Sequence, residues 1–184
     1  TNVFKIALVS SDYSFNDSVI NFAAGIAIRA NSTVYALNDR IRPITANGHW
    51  YLCTTAGTSG ASILVTWATD GSTATDGSVV WTDQGINPAA CEISGTGYTA
   101  GGAALENKIV TYDDDYGYFD ADDVVWANST ITARRAELYR VGVVNGVENP
   151  IWCSLLFNDT PADVSSTNSD FTIVWNANGI IRLG

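Results

Sequence analysis

The chain has a single histidine, His49, and three cysteines, Cys53, Cys91 and Cys153, in 184 residues. No two cysteines form a CxxC pair, so a zinc site built from Cys and His has too few ligands at the wrong spacing. An odd number of thiols does not complete a disulfide framework either, and three reduced, mostly buried thiols are expected. Basic residues are scarce, with 9 Lys and Arg against 19 Asp and Glu and a net charge of −10. Nucleic-acid binding runs on neutralisation of phosphate by Lys and Arg, which argues against a nucleic-acid partner and, by the same logic, against an anionic membrane. No apolar run reaches the ~20 residues of a membrane-spanning helix. No basic, apolar signal segment opens the chain, and folding in the cytoplasm is expected. The Asn-x-Ser/Thr sequons at Asn16, Asn31, Asn128 and Asn158 then read as turn chemistry rather than glycan sites.

Catalytic signatures are equally thin. A lone histidine beside Trp50 leaves no Ser-His-Asp grouping, and no P-loop, GxSxG or HExxH motif occurs. Carboxylates do cluster in "DDDYGYFDADD", at Asp113, Asp114, Asp115, Asp120, Asp122 and Asp123. Paired carboxylates serve glycosidases and oxygen clusters hold calcium. The spacing misses the EF-hand pattern, however, and the run reads as a hairpin tip at Asp114–Gly117 followed by a solvated turn. "SGTGYTAGG" (94–102) has no following Lys-Ser/Thr and no helix behind it, so it reads as a flexible loop and not a phosphate cradle. No enzyme activity, cofactor or metal is expected.

What is abundant is strand and turn material: Gly, Thr, Ser, Val, Ile, Asp, Asn and aromatics, with charged residues only 15% of the chain. "FKIALV" (4–9) predicts a first strand, and "SVINFAAGIAIRA" (18–30) fits either a short helix capped by Asp17 or Ser18 or a non-helical segment. Between 32 and 85 lie "RIRP", "HWYLC", "ILVTW" and "SVVWT", separated by turn signals such as Asn47-Gly48 and Asp76-Gly77. A module that small needs concentrated aromatic burial, which Tyr35, Trp50, Tyr51, Trp67 and Trp81 supply. Trp50 and Tyr51 are adjacent and must point to opposite faces of their strand. Aromatic faces stack on sugars, so Trp50, Tyr51 and Trp67 are the candidate glycan or surface contacts.

After Pro88 a hairpin is expected from "NKIVTY" and "YGYFDA". A long strand is expected over 129–144, bulged near Arg134 and Arg135 where the apolar parity switches. "PIWCSLLF" (150–157) is another strand, "NDTPADVSSTNSD" (158–170) a loop, and "FTIVW" and "IIRL" a final hairpin across "NANG". Strands at this spacing predict an all-β antiparallel sandwich or barrel-like domain from 1–30 plus 87–184, with a small aromatic-rich β module, 31–86, inserted into it.

Three stretches, "EISGTGYTAGGAALENKIVTY", "FDADDVVWANSTITARRAELY" and "ADVSSTNSDFTIVWNANGIIRL", together with "FKIALVSSDYSF", resemble a recurrent virion structural family of tailed bacteriophages. Residues 33–85, through "YALND", "CTTAGTSGAS" and "TDGSVVWT", resemble a second phage surface module, similar to small carbohydrate-binding domains. Two departures stand out. "ILV" precedes Trp67 where that module has Glu-Pro, and Arg135 and Glu137 fall where relatives of the main family carry apolar or aromatic residues. A charged pair on one strand face there is expected to be exposed or to form a subunit contact. The chain also lacks the segment that many relatives have before the first strand. The resemblance implies a non-enzymatic virion protein, made and folded in the bacterial cytoplasm and mounted on the capsid exterior. Its first form is a decoration or cement protein that binds the major capsid protein as a cyclic homo-oligomer such as a trimer. Alternatives are a head or tail fibre that binds host glycan through the inserted module, and a neck or tail component.

Overall fold

The structure, a computed structural model, describes residues 2–15, 18–113 and 115–184, and of Asp113 only the main chain. The Asp17 cap, the Asn16 sequon and the Asp114 start of the expected turn lie outside the described residues. The strands are Phe4–Val9 (β1), Ala27–Ile28 (β2), Val34–Tyr35 (β3), Arg40–Arg42 (β4), His49–Thr55 (β5), Gly57–Thr58 (β6), Thr73–Asp76 (β7), Val79–Ile86 (β8) and Ala103–Ala104 (β9). They continue with Ile109–Asp113 (β10), Tyr116–Asp120 (β11), Val124–Ala133 (β12), Arg135–Arg140 (β13), Val143–Val144 (β14), Val147–Glu148 (β15), Ile151–Leu156 (β16), Val164–Ile173 (β17) and Ile181–Leu183 (β18). One 3₁₀ turn, Pro88–Cys91, interrupts them, with the Asn87 side chain accepting from Ala89 N at its start. The protein is all-β, built of several antiparallel sheets around two aromatic clusters. Segment 18–30 forms no helix; Ala27 and Ile28 pair in parallel with Ile41 and Arg42.

The larger cluster is organised by β1. Its neighbours are β13 and β9, in the order β16-β13-β1-β9. Alternation sends Phe4, Ile6 and Leu8 to one face, where Ala136 and Leu138 of β13 join them. The ribbon β12-β17 covers that face with Trp126, Ile131 and Phe171, and β11 adds Phe119. Ala7 and Tyr139 point the other way, against Phe22 and Ala89. The sheet is therefore covered on both sides, which explains the near-continuous apolar run of β1.

The smaller cluster joins Tyr35, Ile41, Tyr51, Cys53, Val79 and Trp81 on the sheet β2-β4-β5-β8-β7. Arg29, just after β2, is buried in a fork on Asp76: Nη2 lies 2.6 Å from Oδ1, and Nε donates to Oδ2 at 2.8 Å. Burial pushes the Asp76 carboxyl up, but the Arg29 bonds and the Gly60 N–H outweigh it and hold the pKa below the ordinary value. This sheet thus draws on residues N-terminal to 31.

Four expectations are corrected. Ile63–Trp67 is not a strand; Ile63 and Leu64 are exposed and only Trp67 turns inward. The strand expected over 129–144 is three strands in different sheets, the end of β12, then β13 and β14; β12 and β13 part at Arg134, whose N–H donates to Val9 O at 2.9 Å. The loop expected over 158–170 is β-strand from Val164 onward, because a ribbon with one solvated face accepts Ser and Thr in its ladder. Ser129 and Ser166 hydroxyls meet at 2.7 Å there, and those of Thr132 and Ser165 at 2.8 Å. Finally, Ile181–Leu183 pairs with β11 and not with β17, so no terminal hairpin forms. The turn at Asn176–Gly179 instead carries the chain across to β11, where Ile180 N donates to Phe119 O at 2.8 Å.

Candidate functional site

The candidate glycan contacts separate as alternation requires. Tyr51 is fully buried; its hydroxyl donates to Ala68 O at 2.7 Å and accepts from Asn47 Nδ2 at 2.8 Å. It has no surface to offer, which corrects its place among those contacts. Trp67 packs over it, ring centroids 4.6 Å apart, and is half-buried. Trp50 lies on the other face of β5, half-buried, with the Arg40 guanidinium 5.5 Å from its ring centre. His49 Nδ1 sits 2.9 Å from Asp83 Oδ1, a pairing that spacing in the sequence did not reveal. Asp83 also accepts from Gly71 N and Gly85 N, so the pair fastens loops around β8.

Arg135 and Glu137 do share a strand face, but Glu137 is 0% exposed, which corrects the expected exposure. The reason is position: β13 is a central strand, and its second face lies under the segment around Phe22 and the 3₁₀ turn. Arg135 Nη1 donates to Ser154 Oγ at 3.0 Å, and that hydroxyl donates to Glu137 Oε1 at 2.7 Å. Oε2 has no partner among the described residues. Burial raises the Glu137 pKa to about 7 despite Ser154 and Arg135. Glu92 is also raised by burial, although its Oε1 accepts from the Tyr98 hydroxyl at 2.7 Å and from Gly101 N at 2.6 Å. Those bonds fix "SGTGYTAGG" against β1, where Leu8 N donates to the Tyr98 hydroxyl at 2.9 Å. The segment read as a flexible loop is tied down.

The described carboxylates of the acidic run do not converge either. Asp123 Oδ1 accepts from Trp175 N, and Asp122 Oδ2 from Asn107 Nδ2. Among the described residues no group of three His, Cys, Asp or Glu side chains is placed to hold a metal ion. Burial raises all three thiols, Cys91 to about 12 and Cys153 to about 11; such thiols are poor nucleophiles near neutral pH.

The surface that stands out is an apolar groove of about 330 Å³ between β16 and the sheet β10-β11-β18. Phe4, Phe119 and Trp152 form its floor and one wall; the Trp152 ring meets Phe4 edge-on at 4.6 Å. Val110, Ile181 and Leu183 form the other wall. A register irregularity builds it. Leu138 pairs with Cys153 and Tyr139 with Ile151, so Trp152 is the extra residue of a bulge. Bulges re-aim side chains, and here Trp152 turns onto Phe4 and remains 49% exposed. Leu183 and Val110 are more exposed still. Beside them the Arg182 guanidinium lies 3.6 Å from the ring centre of Tyr116. The sequence carried one hint, the apolar run of "PIWCSLLF" broken only by Ser154; the bulge that aims Trp152 left no mark in it.

Comparisons with protein-family models, with curated proteins and with solved structures found no match.

Proposed function

We propose that this chain is a non-enzymatic structural protein of a tailed-phage particle, in its first form a decoration protein seated on the major capsid protein shell. The observation that carries an assembly role is the Phe4–Trp152–Leu183 groove, open, aromatic and nearly devoid of polar groups. Exposed apolar concavities of this kind take side chains from protein partners. The buried acids, the His49–Asp83 pair and the thiols all work as structural fasteners in this reading. The particle itself is inferred from the resemblance of the quoted motifs.

In this reading β16-β13-β1-β9 and the strands opposite it close as a sandwich over the larger core. Residues 1–30 and 87–184 make the main domain, and 31–86 is an insert displayed outward. Trp50, at the surface beneath Arg40, favours a second reading, in which the insert binds host glycan.

The test is copy number in purified particles that carry the chain, by quantitative mass spectrometry against the major capsid protein. A simple ratio to that protein is expected, together with loss of shell binding in Trp152→Ala. A few copies per particle, with adsorption lost in Trp50→Ala, would move the protein to a fibre. A few copies with adsorption intact would move it to the neck or tail.

A further inference from the structure

Strand β10 leaves apolar side chains exposed along its described length. Its residues are Ile-Val-Thr-Tyr-Asp, and Ile109, Val110, Thr111 and Tyr112 are all exposed, Val110 at 80% and Tyr112 at 88%. The strand ends its sheet, in the order β10-β11-β18, so it is paired on one side only. Strands of this composition that lie open at an edge are templates for another strand, and proteins usually guard them with a bulge, a proline or an inward charge. The ladder from Ile109↔Asp120 to Asp113↔Tyr116 runs without a register shift, and 109–112 hold no charge and no proline.

We propose that β10 is a self-association edge, where a second copy of this chain adds its own β10 antiparallel to make one continuous six-stranded sheet across a two-fold axis. The register follows from the hairpin. Asp113 pairs with Tyr116 across a two-residue connection, which makes that pair hydrogen-bonded. Bonded pairs alternate along an antiparallel ladder, so the N–H and C=O groups of Val110 and Tyr112 face the open edge. Pairing centred on Thr111 then joins Val110 of each copy to Tyr112 of the other by two hydrogen bonds per pair. Thr111 faces its own counterpart in the non-bonded position between them.

The side chains are self-complementary in that register. An aromatic against a β-branched residue and Thr against Thr are both favourable cross-strand pairs. Charge agrees: Lys108 precedes the strand and the acidic run ending at Asp115 follows it. Antiparallel pairing sets the basic end of each strand beside the acidic end of the other. Val110 also lines the apolar groove, so Tyr112 of the second copy lengthens that wall without filling it. A strand of an unrelated protein would meet the same backbone groups but would not be bound to supply these pairs. The inference stands apart from the virion role: the purified chain alone decides it, and a monomer would leave the copy-number test untouched.

The experiment is sedimentation of the purified 184-residue chain from about 1 to about 500 μM, a range suited to a micromolar association, with four variants. The wild type is expected to move to twice its 19.6 kDa mass with rising concentration. Val110→Lys and Tyr112→Lys are expected to stay monomeric at concentrations where the wild type is dimeric. Under mild oxidation Thr111→Cys is expected to form an intermolecular disulfide, while Thr132→Cys, an exposed position on β12, does not. A wild type monomeric throughout overturns the proposal, as do dimers that both Lys variants leave intact. A closed trimer overturns it too, because an isologous strand pair builds only even-numbered assemblies. Should a Lys variant fail to fold, equal cross-linking of Thr111→Cys and Thr132→Cys still refutes it.

Discussion

Glu137 sits where hydrocarbon would be expected, in a central strand covered on both faces, with one carboxyl oxygen bonded and the other bare. Its pKa rises from 4.5 to about 7 because burial disfavours the charged form. The native state therefore keeps a proton over a range where the unfolded chain has lost it. Stability must fall as pH rises between about 4.5 and 7, by about 3 kcal/mol for a shift of this size. Glu92, also raised by burial, acts in the same direction. Glu137→Gln removes the larger effect, since the amide needs no proton to stay neutral. The variant should be more stable than the wild type at about pH 8, with a flatter urea-midpoint profile from about pH 5 to 8. A variant less stable at about pH 8, with an unchanged profile, would show that the carboxylate is solvated in solution. At this scale the sequence spoke through alternation: adjacent Trp50 and Tyr51 had to part, and they do. It could not show Glu137 as buried, because a charged residue in a strand reads as a solvent-facing position until the strands on either side are known. Asp83 and Asp76 stayed unreadable for the same reason. Their partners, His49 and Arg29, lie 34 and 47 residues away.

Elements were legible where local chemistry decides them and obscure where register does. β1, β5, β8, the β10-β11 hairpin and β16 follow from apolar runs bounded by turn residues. The first part of β17, residues 164–170, was missed because Ser, Thr, Asn and Asp favour turns locally, and only its pairing with β12 makes them ladder residues; its end, residues 171–173, lies in the expected strand "FTIVW". The exit of the chain at Arg134 and the bulge at Trp152 depend on neighbours in space. Gly102 shows how tight such fits are. It holds φ +69°, and a Cβ there would fall 2.0 Å from Ile6 O, in the strand to which Ala103 and Ala104 pair. Gly102→Ala must therefore push β9 off β1 as well as strain its own backbone. We expect a loss of roughly 3 kcal/mol or more in chemical denaturation. Amide exchange should quicken at Ala103 and Leu105, the latter bonded to Phe4 O. A change below about 0.5 kcal/mol, the usual range for surface positions, would mean that β9 is free to shift.

The whole molecule sets two forces against each other. With a net charge of −10, any two copies repel at a distance. The β10 edge and the apolar groove beside it carry almost no charge and attract only at contact. The Lys108 ends lie at the rim, where exposed ion pairs contribute about 0–1 kcal/mol each. Salt acts on these terms unequally. It shortens the reach of the repulsion from about 30 Å at 0.01 M to about 8 Å at 0.15 M, weakens the rim pairs slightly, and leaves backbone hydrogen bonds and apolar contact in place. Self-association through β10 should consequently tighten severalfold between those two salt concentrations, read as the dissociation constant in sedimentation equilibrium. Because repulsion between whole molecules drives the effect, Lys108→Ala should leave its direction unchanged. Association that loosens with salt would mean that the opposite charges at the strand ends, Lys108 against the acidic run from Asp113 to Asp115, hold the copies together, rather than the backbone and apolar contacts of residues 110–112.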